Sequence, residues 1–259
     1  MSTYLVTGAS GGIGVEVCRC LAGSGHRLVL AARDMQRIED LRAMLPDVGA
    51  DHIALPLDMA SDASVSAFGA KLADADVLLD GAVMMPPQPH ADTDCMPAPD
   101  VWRDLFQTSF IGPLSTLKIA IERMHPDVAS GKRCKIVIIS GISSAQVMSN
   151  YATSNVLRTA WIGQAKTMAF VLGPRGIHVN TLSLGGTLAP WYRDGLARRA
   201  EAAGVTFDTK LAQEVDNVPL RKYGTPAEVA VAVEGLLSSF SDHMTGTNTL
   251  FDGGFTRAY

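Results

Sequence analysis

The sequence has few cysteines, few aromatic residues and no long apolar run. Four cysteines (Cys18, Cys20, Cys95 and Cys134) stand in 259 residues without a CxxC pair, which is too few for a disulfide framework and indicates reduced thiols. No apolar run reaches the roughly 18 residues that a membrane-spanning helix needs, and the amino terminus lacks a leader pattern. HExxH is absent as well, so we expect no metal site. These absences favour a cytoplasmic protein without a membrane partner.

The sequence also lacks a large excess of either positive or negative charge. The formal net charge is −4 at pH 7, and charged residues make up 19% of the chain. This balance argues against a broadly basic surface, so we expect no nucleic-acid partner. The hydrophobic fraction of 47% exceeds that of disordered chains, and the length fits one domain over residues 1–259.

Short apolar runs alternate with helix-like stretches along the chain. Strands are predicted at 4–6, 28–31, 52–57, 77–79, 135–139, 178–182 and 249–251. Helices are predicted near 13–23, 35–45, 61–73, 101–124, 152–172 and 226–239. This alternation predicts a single-domain, Rossmann-like α/β fold, a doubly wound parallel sheet of about seven strands with helices on both faces. A long irregular segment at about 187–218, with a short helix at 193–203, is expected to be a substrate lid.

A glycine-rich turn, T-G-A-S-G-G-I-G at 7–14, follows the first strand and opens the first helix. Its spacing is not GxGxxG, and no GxxxxGK[ST] occurs elsewhere. Glycines allow a tight turn and a close backbone approach, while the helix start presents N–H groups to a phosphate. The turn therefore predicts a nucleotide site.

Several motifs in this order resemble the short-chain dehydrogenase/reductase family over nearly the whole chain. The 7–14 turn matches its T-G-x-x-x-G-x-G, and 151–155 stands where the family has Y-x-x-x-K. Residues 219–230 resemble its P-L-x-R-x-G-x-P-x-E-V-A segment, and 245–254 resemble its T-G…D-G-G. The resemblance implies an oxidoreductase that uses a nicotinamide cofactor.

The second strand ends in Arg33, which favours NADP over NAD because arginine can pair with a 2′-phosphate. The resemblance further implies an adenine contact at Asp58 and Met59, after the third strand. Gly81 and Ala82 are aligned with the family's N-N-A-G after the fourth strand. The residues expected at the cofactor are Gly8, Ser10, Gly12, Ile13, Gly14, Arg33, Asp58, Met59, Gly81, Ala82, Asn155, Gly185 and Thr187.

The resemblance also implies an Asn-Ser-Tyr-Lys tetrad, of which only the tyrosine is retained, as Tyr151. Ser109 stands at the asparagine position and Asn155 at the lysine position. Gly141 occupies the usual serine position if nothing is deleted. Because the following loop is short, Ser143 is preferred for the hydroxyl, with Ser140 as the alternative.

Two residues on the same helix face as Tyr151 bear on the missing lysine. Asn155 is expected to bind the nicotinamide ribose through its amide. Arg158 could restore a cation, or it could be an ordinary surface or interface arginine.

Without the lysine charge, a tyrosine hydroxyl keeps its proton at neutral pH and is a better general acid than base. We therefore expect NADPH-dependent reduction of a carbonyl, with Tyr151 as the proton donor. The alternatives are a catalytically impaired NADP-binding regulatory or scaffold protein and a non-redox enzyme on the same fold.

The substrate is expected to be a medium or bulky apolar molecule, in a pocket beneath a mobile hinge at Gly185 and Gly186. The family is usually dimeric or tetrameric, so a homodimer or homotetramer is expected. The side chains predicted to line the pocket are Met84, Met85, Met96, Met148, Trp191, Tyr192 and Phe207.

Overall fold

The computed structural model describes residues 1–89 and 91–257. The strands are β1 Thr3–Thr7, β2 Arg27–Ala32, β3 Ile53–Pro56, β4 Gly81–Met84, β5 Cys134–Gly141, β6 Ile177–Leu184 and β7 Asn248–Phe251. Among these residues they form one parallel sheet of seven strands in the order β3-β2-β1-β4-β5-β6-β7. This topology confirms the predicted doubly wound α/β fold.

Helices cover both faces of the sheet, so successive strand residues enter two different cores. The helices are α1 Gly12–Gly23, α2 Met35–Met44, α3 Asp62–Asp74, α4 Pro99–Phe106, α5 Gly112–Glu122, α6 Ala152–Leu172, α7 Pro190–Ala202, α8 Phe207–Glu214 and α9 Pro226–Leu237. Leu5 lies in the core beneath α3, α5 and α6, while Tyr4 and Val6 lie in the core beneath α1, α2 and α9.

The fourth strand lies later in the chain than expected. It is Gly81–Met84 rather than 77–79, and its first residue pairs with Tyr4 of β1. Leu79 makes only an isolated bridge. A Cβ on Gly81 would lie 2.3 Å from the carbonyl oxygen of Lys135, so the strand can approach β5 only with glycine there. A glycine is a poor strand former by propensity, which hid this strand from the sequence pattern.

The helix expected over 101–124 is broken into α4, a π-helical turn at Gln107–Ile111, and α5. Such π turns are rare and often occur at functional sites. Gly112 begins α5 in very close contact with the chain after β3, because a Cβ there would lie 1.8 Å from the carbonyl oxygen of Met59.

The segment 187–218 contains α7 and also α8, which the sequence pattern did not predict. Helix α8 begins at Phe207, where the Thr206 hydroxyl accepts a hydrogen bond from the backbone N–H of Thr209 at 3.1 Å. None of the described helices combines the length and apolar character needed to cross a membrane.

Candidate active site

The glycine turn joins β1 to α1 in a very compact form. Gly8 has a φ of +62°, and its carbonyl oxygen accepts the N–H of Gly11 at 2.9 Å. A Cβ on Gly14 would lie 2.1 Å from that oxygen, so the turn requires glycine at this position. Helix α1 has no side-chain cap and no acidic residue in its first turn. Its first N–H groups, beside Ser10 and Ile13, are therefore available to an anion.

A second helix begins beside this turn. Pro190, the first residue of α7, packs against Gly12, where a Cβ would lie 2.4 Å from the proline Cδ. Helix α7 also lacks a side-chain cap and an acidic residue in its first turn. Two positive helix ends thus lie close to one another at the glycine turn.

Arg33 follows β2 at the same edge of the sheet, where Ala9 N–H donates to the carbonyl of Ala31 at 3.3 Å. The Arg33 side chain is exposed. It forms no ion pair or side-chain hydrogen bond with the other described residues. The next residue, Asp34, is engaged as the cap of α2, because its carboxylate accepts the N–H of Arg37 at 3.1 Å. Arg33 is therefore the charged side chain at this strand end that can meet a phosphate.

Asp58 and Met59 lie beside this edge, since Leu57 N–H donates to the carbonyl of Ala32 at 2.9 Å. The Asp58 carboxylate accepts the N–H of Ala60 at 3.0 Å and shapes the turn. Met59 is buried. The predicted adenine contact at these two residues fits their position and stays a prediction.

Gly81 and Ala82 do not lie at the carboxyl edge of the sheet, which corrects their predicted role at the cofactor. They are the first two residues of β4 and are buried beside β1. Met84 ends the strand, and Met85 N–H donates to the Thr7 hydroxyl at 2.8 Å. These two methionines therefore stand where the sequence alignment put the glycine and alanine.

Tyr151 stands at the start of α6, where Asn150 and Ala152 on either side of it form backbone hydrogen bonds with Asp92. Asn155, one turn later, is bonded to Met148 through both amide atoms. Its Oδ1 accepts the Met148 N–H and its Nδ2 donates to the Met148 carbonyl, each at 3.1 Å. To bind the nicotinamide ribose as predicted, the Asn155 amide would have to give up these two bonds to Met148.

The three serines after β5 differ in their partners. Ser143 Oγ accepts from Arg158 Nη1 at 3.2 Å, while Ser144 Oγ lies 2.9 Å from Ser183 Oγ. Ser140 Oγ is buried without a partner among the described residues. Of the two candidate hydroxyls, Ser143 is the one that forms a hydrogen bond with Arg158, whose guanidinium carbon lies 5.9 Å from the centre of the Tyr151 ring.

Ser109 lies in the π-helical turn and is buried. Its carbonyl oxygen accepts the indole N–H of Trp161 at 2.8 Å, which ties the turn to α6. The backbone of Ser109 therefore helps to position the helix that carries Tyr151, and a catalytic role for its hydroxyl remains a prediction.

The hinge before α7 is firmly held, contrary to the expectation of a mobile one. Gly185 N–H donates to the carbonyl of Phe251 at 2.9 Å, and Thr187 forms a bridge with Gly224. A Cβ on Gly186 would lie 2.3 Å from the ring of Tyr223. Neither glycine of the pair has a positive φ, so both serve close packing.

A polar cluster joins α7 to α8. The Tyr192 hydroxyl donates to Glu214 Oε2 at 2.7 Å, and Arg199 Nη2 donates to Glu214 Oε1 at 3.0 Å. The Tyr223 hydroxyl donates to the Glu214 carbonyl at 3.2 Å. Burial, followed by the bond to Glu214, raises the pKa of Tyr192, and burial also raises that of Tyr223. Both phenols therefore hold their protons and act as donors.

The side chains expected to line an apolar pocket divide into separate groups. Met84 lies in the sheet core, while Met96 and Trp191 are exposed. Met85 and Met148 are partly buried near Gly8 and Asn155 respectively. The predicted lining is thus only partly assembled around Tyr151.

Known proteins match this chain over almost its full length. A family model described as Enoyl-(Acyl carrier protein) reductase matches residues 8–256. The Granaticin polyketide synthase putative ketoacyl reductase 2 of Streptomyces violaceoruber is 31% identical, with 96% of this chain and 94% of that protein covered. The chain belongs to the short-chain dehydrogenase/reductase family. Members of this family are NAD(P)-dependent oxidoreductases.

Two solved structures of the family share the fold. L-sorbose reductase from Gluconobacter frateurii, complexed with NADPH and L-sorbose, has a TM-score of 0.90 at 21% identity, covering 100% of this chain and 97% of that one. An NADPH-bound short-chain oxidoreductase from Pseudomonas aeruginosa PAO1, described as containing an atypical catalytic center, has a TM-score of 0.85 at 24% identity. The match covers 100% of this chain and 98% of that one. At these identities the likeness concerns the fold.

Two residues beside Arg158 were given no role by the sequence reasoning. Gln88 lies in a proline-rich loop and contacts Arg158 through its side-chain oxygen. Gly141 was noted only as the absence of a serine, yet it makes room for the same guanidinium. The sequence offered one usable sign for the second residue, a glycine at the end of a strand whose central residues 136–139 are all β-branched.

Proposed function

We propose that this protein is an NADPH-dependent reductase that reduces the carbonyl of a medium or bulky apolar small molecule, with Tyr151 as the proton donor. The observation that carries the proposal is that the glycine turn, Arg33 and the start of α6 at Tyr151 lie at one edge of the sheet, with Arg33 paired to no other described residue. The putative ketoacyl reductase assignment of the Streptomyces relative supports a carbonyl substrate.

The residues present fit a phosphorylated dinucleotide. The uncapped start of α1 offers N–H groups for a pyrophosphate, and the start of α7 beside Gly12 adds a second positive helix end. Arg33 offers a guanidinium for a 2′-phosphate. When bound, NADPH supplies the hydride that adds to the carbonyl carbon of the substrate.

Tyr151 completes the reaction by giving its hydroxyl proton to the carbonyl oxygen. The described part of α6 carries no lysine within one turn of Tyr151, and Asn155 stands in the family's lysine position. We propose that Tyr151 acts as an acid in this step, so that carbonyl reduction is favoured over alcohol oxidation. We further propose that α7 and α8 cover the substrate as a lid.

A second candidate, an NADP-binding protein with an impaired site, is supported by Asn155, whose amide is engaged by Met148 on both atoms. Purified protein should be incubated with NADPH and a panel of apolar ketones and aldehydes, following cofactor binding by fluorescence and turnover by loss of reduced-nicotinamide absorbance. Turnover that disappears in Tyr151→Phe with cofactor affinity retained is the expected result. Tight binding of NADPH without turnover on any carbonyl would favour the second candidate, and absence of NADPH binding would refute both.

A further inference from the structure

Arg158 places a positive charge beside Tyr151. It lies seven residues after Tyr151 in α6 and is half-buried. Its guanidinium carbon lies 5.9 Å from the centre of the Tyr151 ring. The two side chains therefore face the same small region.

All of the polar partners of this guanidinium are neutral. Nε and Nη2 donate to Gln88 Oε1 at 3.1 and 2.9 Å, and Nη1 donates to Ser143 Oγ at 3.2 Å. The ion pairs of the described residues do not include Arg158. Burial lowers the pKa of Arg158 from its usual value, yet a guanidinium remains protonated in proteins. Its charge is therefore not neutralised by any described carboxylate.

Gly141 makes this placement possible. A Cβ there would lie 2.5 Å from both Cζ and Nη1 of Arg158. The backbone of Gly141 is extended, with φ −143° and ψ 161°, which any residue adopts. The glycine is thus explained by the guanidinium and not by backbone conformation. When the sequence is aligned with the family's motifs without a deletion, position 141 is the usual place of the tetrad serine.

Donor counting leaves part of the guanidinium free. Of its five N–H groups, two are directed to Gln88 and one to Ser143. One N–H on each terminal nitrogen remains without a partner among the described residues. A half-buried cation with free donors binds an oxygen that gains negative charge far better than a neutral hydroxyl does.

We propose that Arg158 is a catalytic residue that donates hydrogen bonds to the carbonyl oxygen of the substrate, in the space that a serine side chain at position 141 would fill. The inference rests on the proposed reductase function. As the new carbon–hydrogen bond forms with the hydride supplied by NADPH, the π electron pair of the carbonyl moves to its oxygen. Arg158 stabilises that negative charge until the Tyr151 O–H bond breaks and its proton forms the alcohol. The tyrosinate then regains a proton from water.

The first experiment compares Arg158→Ala and Arg158→Lys with Arg175→Ala, which removes an exposed arginine beyond the end of α6. We expect Arg158→Ala to lower kcat by about 10²- to 10³-fold, as loss of one oxyanion donor does, while NADPH affinity is unchanged. Arg158→Lys should retain part of the activity, and free guanidinium ion should partly rescue Arg158→Ala. Arg175→Ala should match the wild type. Equal kcat in Arg158→Ala and wild type would overturn the inference while leaving the reductase function intact.

A second variant separates catalysis from folding. Gly141→Ala should displace the guanidinium and lower kcat as Arg158→Ala does, and the double variant should be no worse than either, because both remove one interaction. If the two substitutions lower kcat additively in the double variant, Gly141 and Arg158 do not act through one interaction.

A binding measurement tests the same site without turnover. Trifluoroacetate serves as a small anionic probe of the oxygen site, added to the NADPH-loaded protein so that the phosphate sites are filled. Fluorine NMR should show line broadening in the wild type and Arg175→Ala that is lost in Arg158→Ala. Broadening that persists in Arg158→Ala overturns the assignment even if no carbonyl is ever reduced. If the broadening is lost in Arg158→Ala but the wild type reduces no carbonyl, the reductase function is refuted and the oxygen site at Arg158 is retained.

Discussion

At the residue scale, Asn155 stabilises a loop next to Tyr151. Its amide bonds Met148 through both the oxygen and the nitrogen, so the side chain holds the chain that leads into α6. A lysine at this position would bring a charge but could not make this paired contact. The exchange of lysine for asparagine therefore alters local structure as well as electrostatics.

Asn155→Lys tests both consequences. We expect the free energy of unfolding to fall by about 1–3 kcal/mol, because two hydrogen bonds are lost at about 0.5–1.5 kcal/mol each. Alcohol oxidation should rise relative to carbonyl reduction, since the added charge favours tyrosinate. Asn155→Ala is the matched control, with the same loss of stability and no gain in oxidation. Chemical denaturation and rates in both directions across neutral and alkaline pH measure these effects. Efficient oxidation by the wild type near neutrality would contradict the preference for reduction.

Arg33 is the second residue whose role can be isolated. Arg33→Ala should weaken NADPH binding by about 10- to 100-fold, since hydrogen bonds to charged groups contribute about 1.5–3 kcal/mol. Binding of NADH, which lacks the 2′-phosphate, should be unaffected. Arg42→Ala is the control, because Arg42 is paired with Glu39 at 2.6 Å. Fluorescence titration with both cofactors measures the two affinities. An equal loss of affinity for NADH would show that Arg33 does not bind the 2′-phosphate.

At the scale of elements, the contact between α7 and α8 depends on one carboxylate. Glu214 accepts the Tyr192 hydroxyl and two N–H groups of Arg199. Because Tyr192 and Arg199 lie on α7 and Glu214 ends α8, these bonds hold the two helices of the proposed lid together. The bond of Tyr223 to the Glu214 backbone connects them to the chain before α9.

Glu214→Ala should loosen this pair of helices. We expect amide hydrogen exchange in α7 and α8 to accelerate by about 10- to 100-fold, because charged hydrogen bonds contribute about 1.5–3 kcal/mol. Exchange in β5 and β6 should not change. Glu201→Ala removes an exposed carboxylate from the same segment and serves as the control. If both variants exchange alike, the Glu214 cluster does not hold the lid.

At the scale of the whole molecule, α6 buries one side against the sheet and exposes apolar side chains on the other. Trp161 and Leu157 are buried, whereas Val156, Phe170 and Val171 are exposed. Phe170 is 78% exposed, a large apolar surface for a helix side chain facing water. This face supports the proposal of a homodimer or homotetramer.

Phe170→Asp should shift the protein to a smaller species, because burying a charge at such a contact is unfavourable. Light scattering after size-exclusion chromatography measures the mass of each species. Met44→Asp changes an exposed apolar residue at the end of α2 and should leave the mass unchanged. A wild-type monomer would contradict the proposed association.

Local sequence patterns were sufficient for six of the seven described strands, for helices α1, α2, α3, α6 and α9 and for the glycine turn, because periodicity and turn chemistry act over a few residues. Gly8 and Arg33 each follow a strand and Tyr151 begins a helix, so local patterns predicted their positions, and their roles stay predictions. Strand β4 was misplaced, because Gly81 is required by a contact with Lys135, far along the chain.

The remaining features of the site arise from contacts between distant segments. Arg158 faces Tyr151, Gln88 and Ser143 only once β5, α6 and the loop after β4 are packed together. Arg158 lies in the site and not on the surface because Gly141 has no side chain to occupy the space of its guanidinium. The sequence by itself determined the fold, the family and the nucleotide edge, whose determinants are local. Which cation lies beside Tyr151, and which serine binds that cation, was decided by tertiary packing, since hydrogen-bond partners and available space exist only in the folded chain.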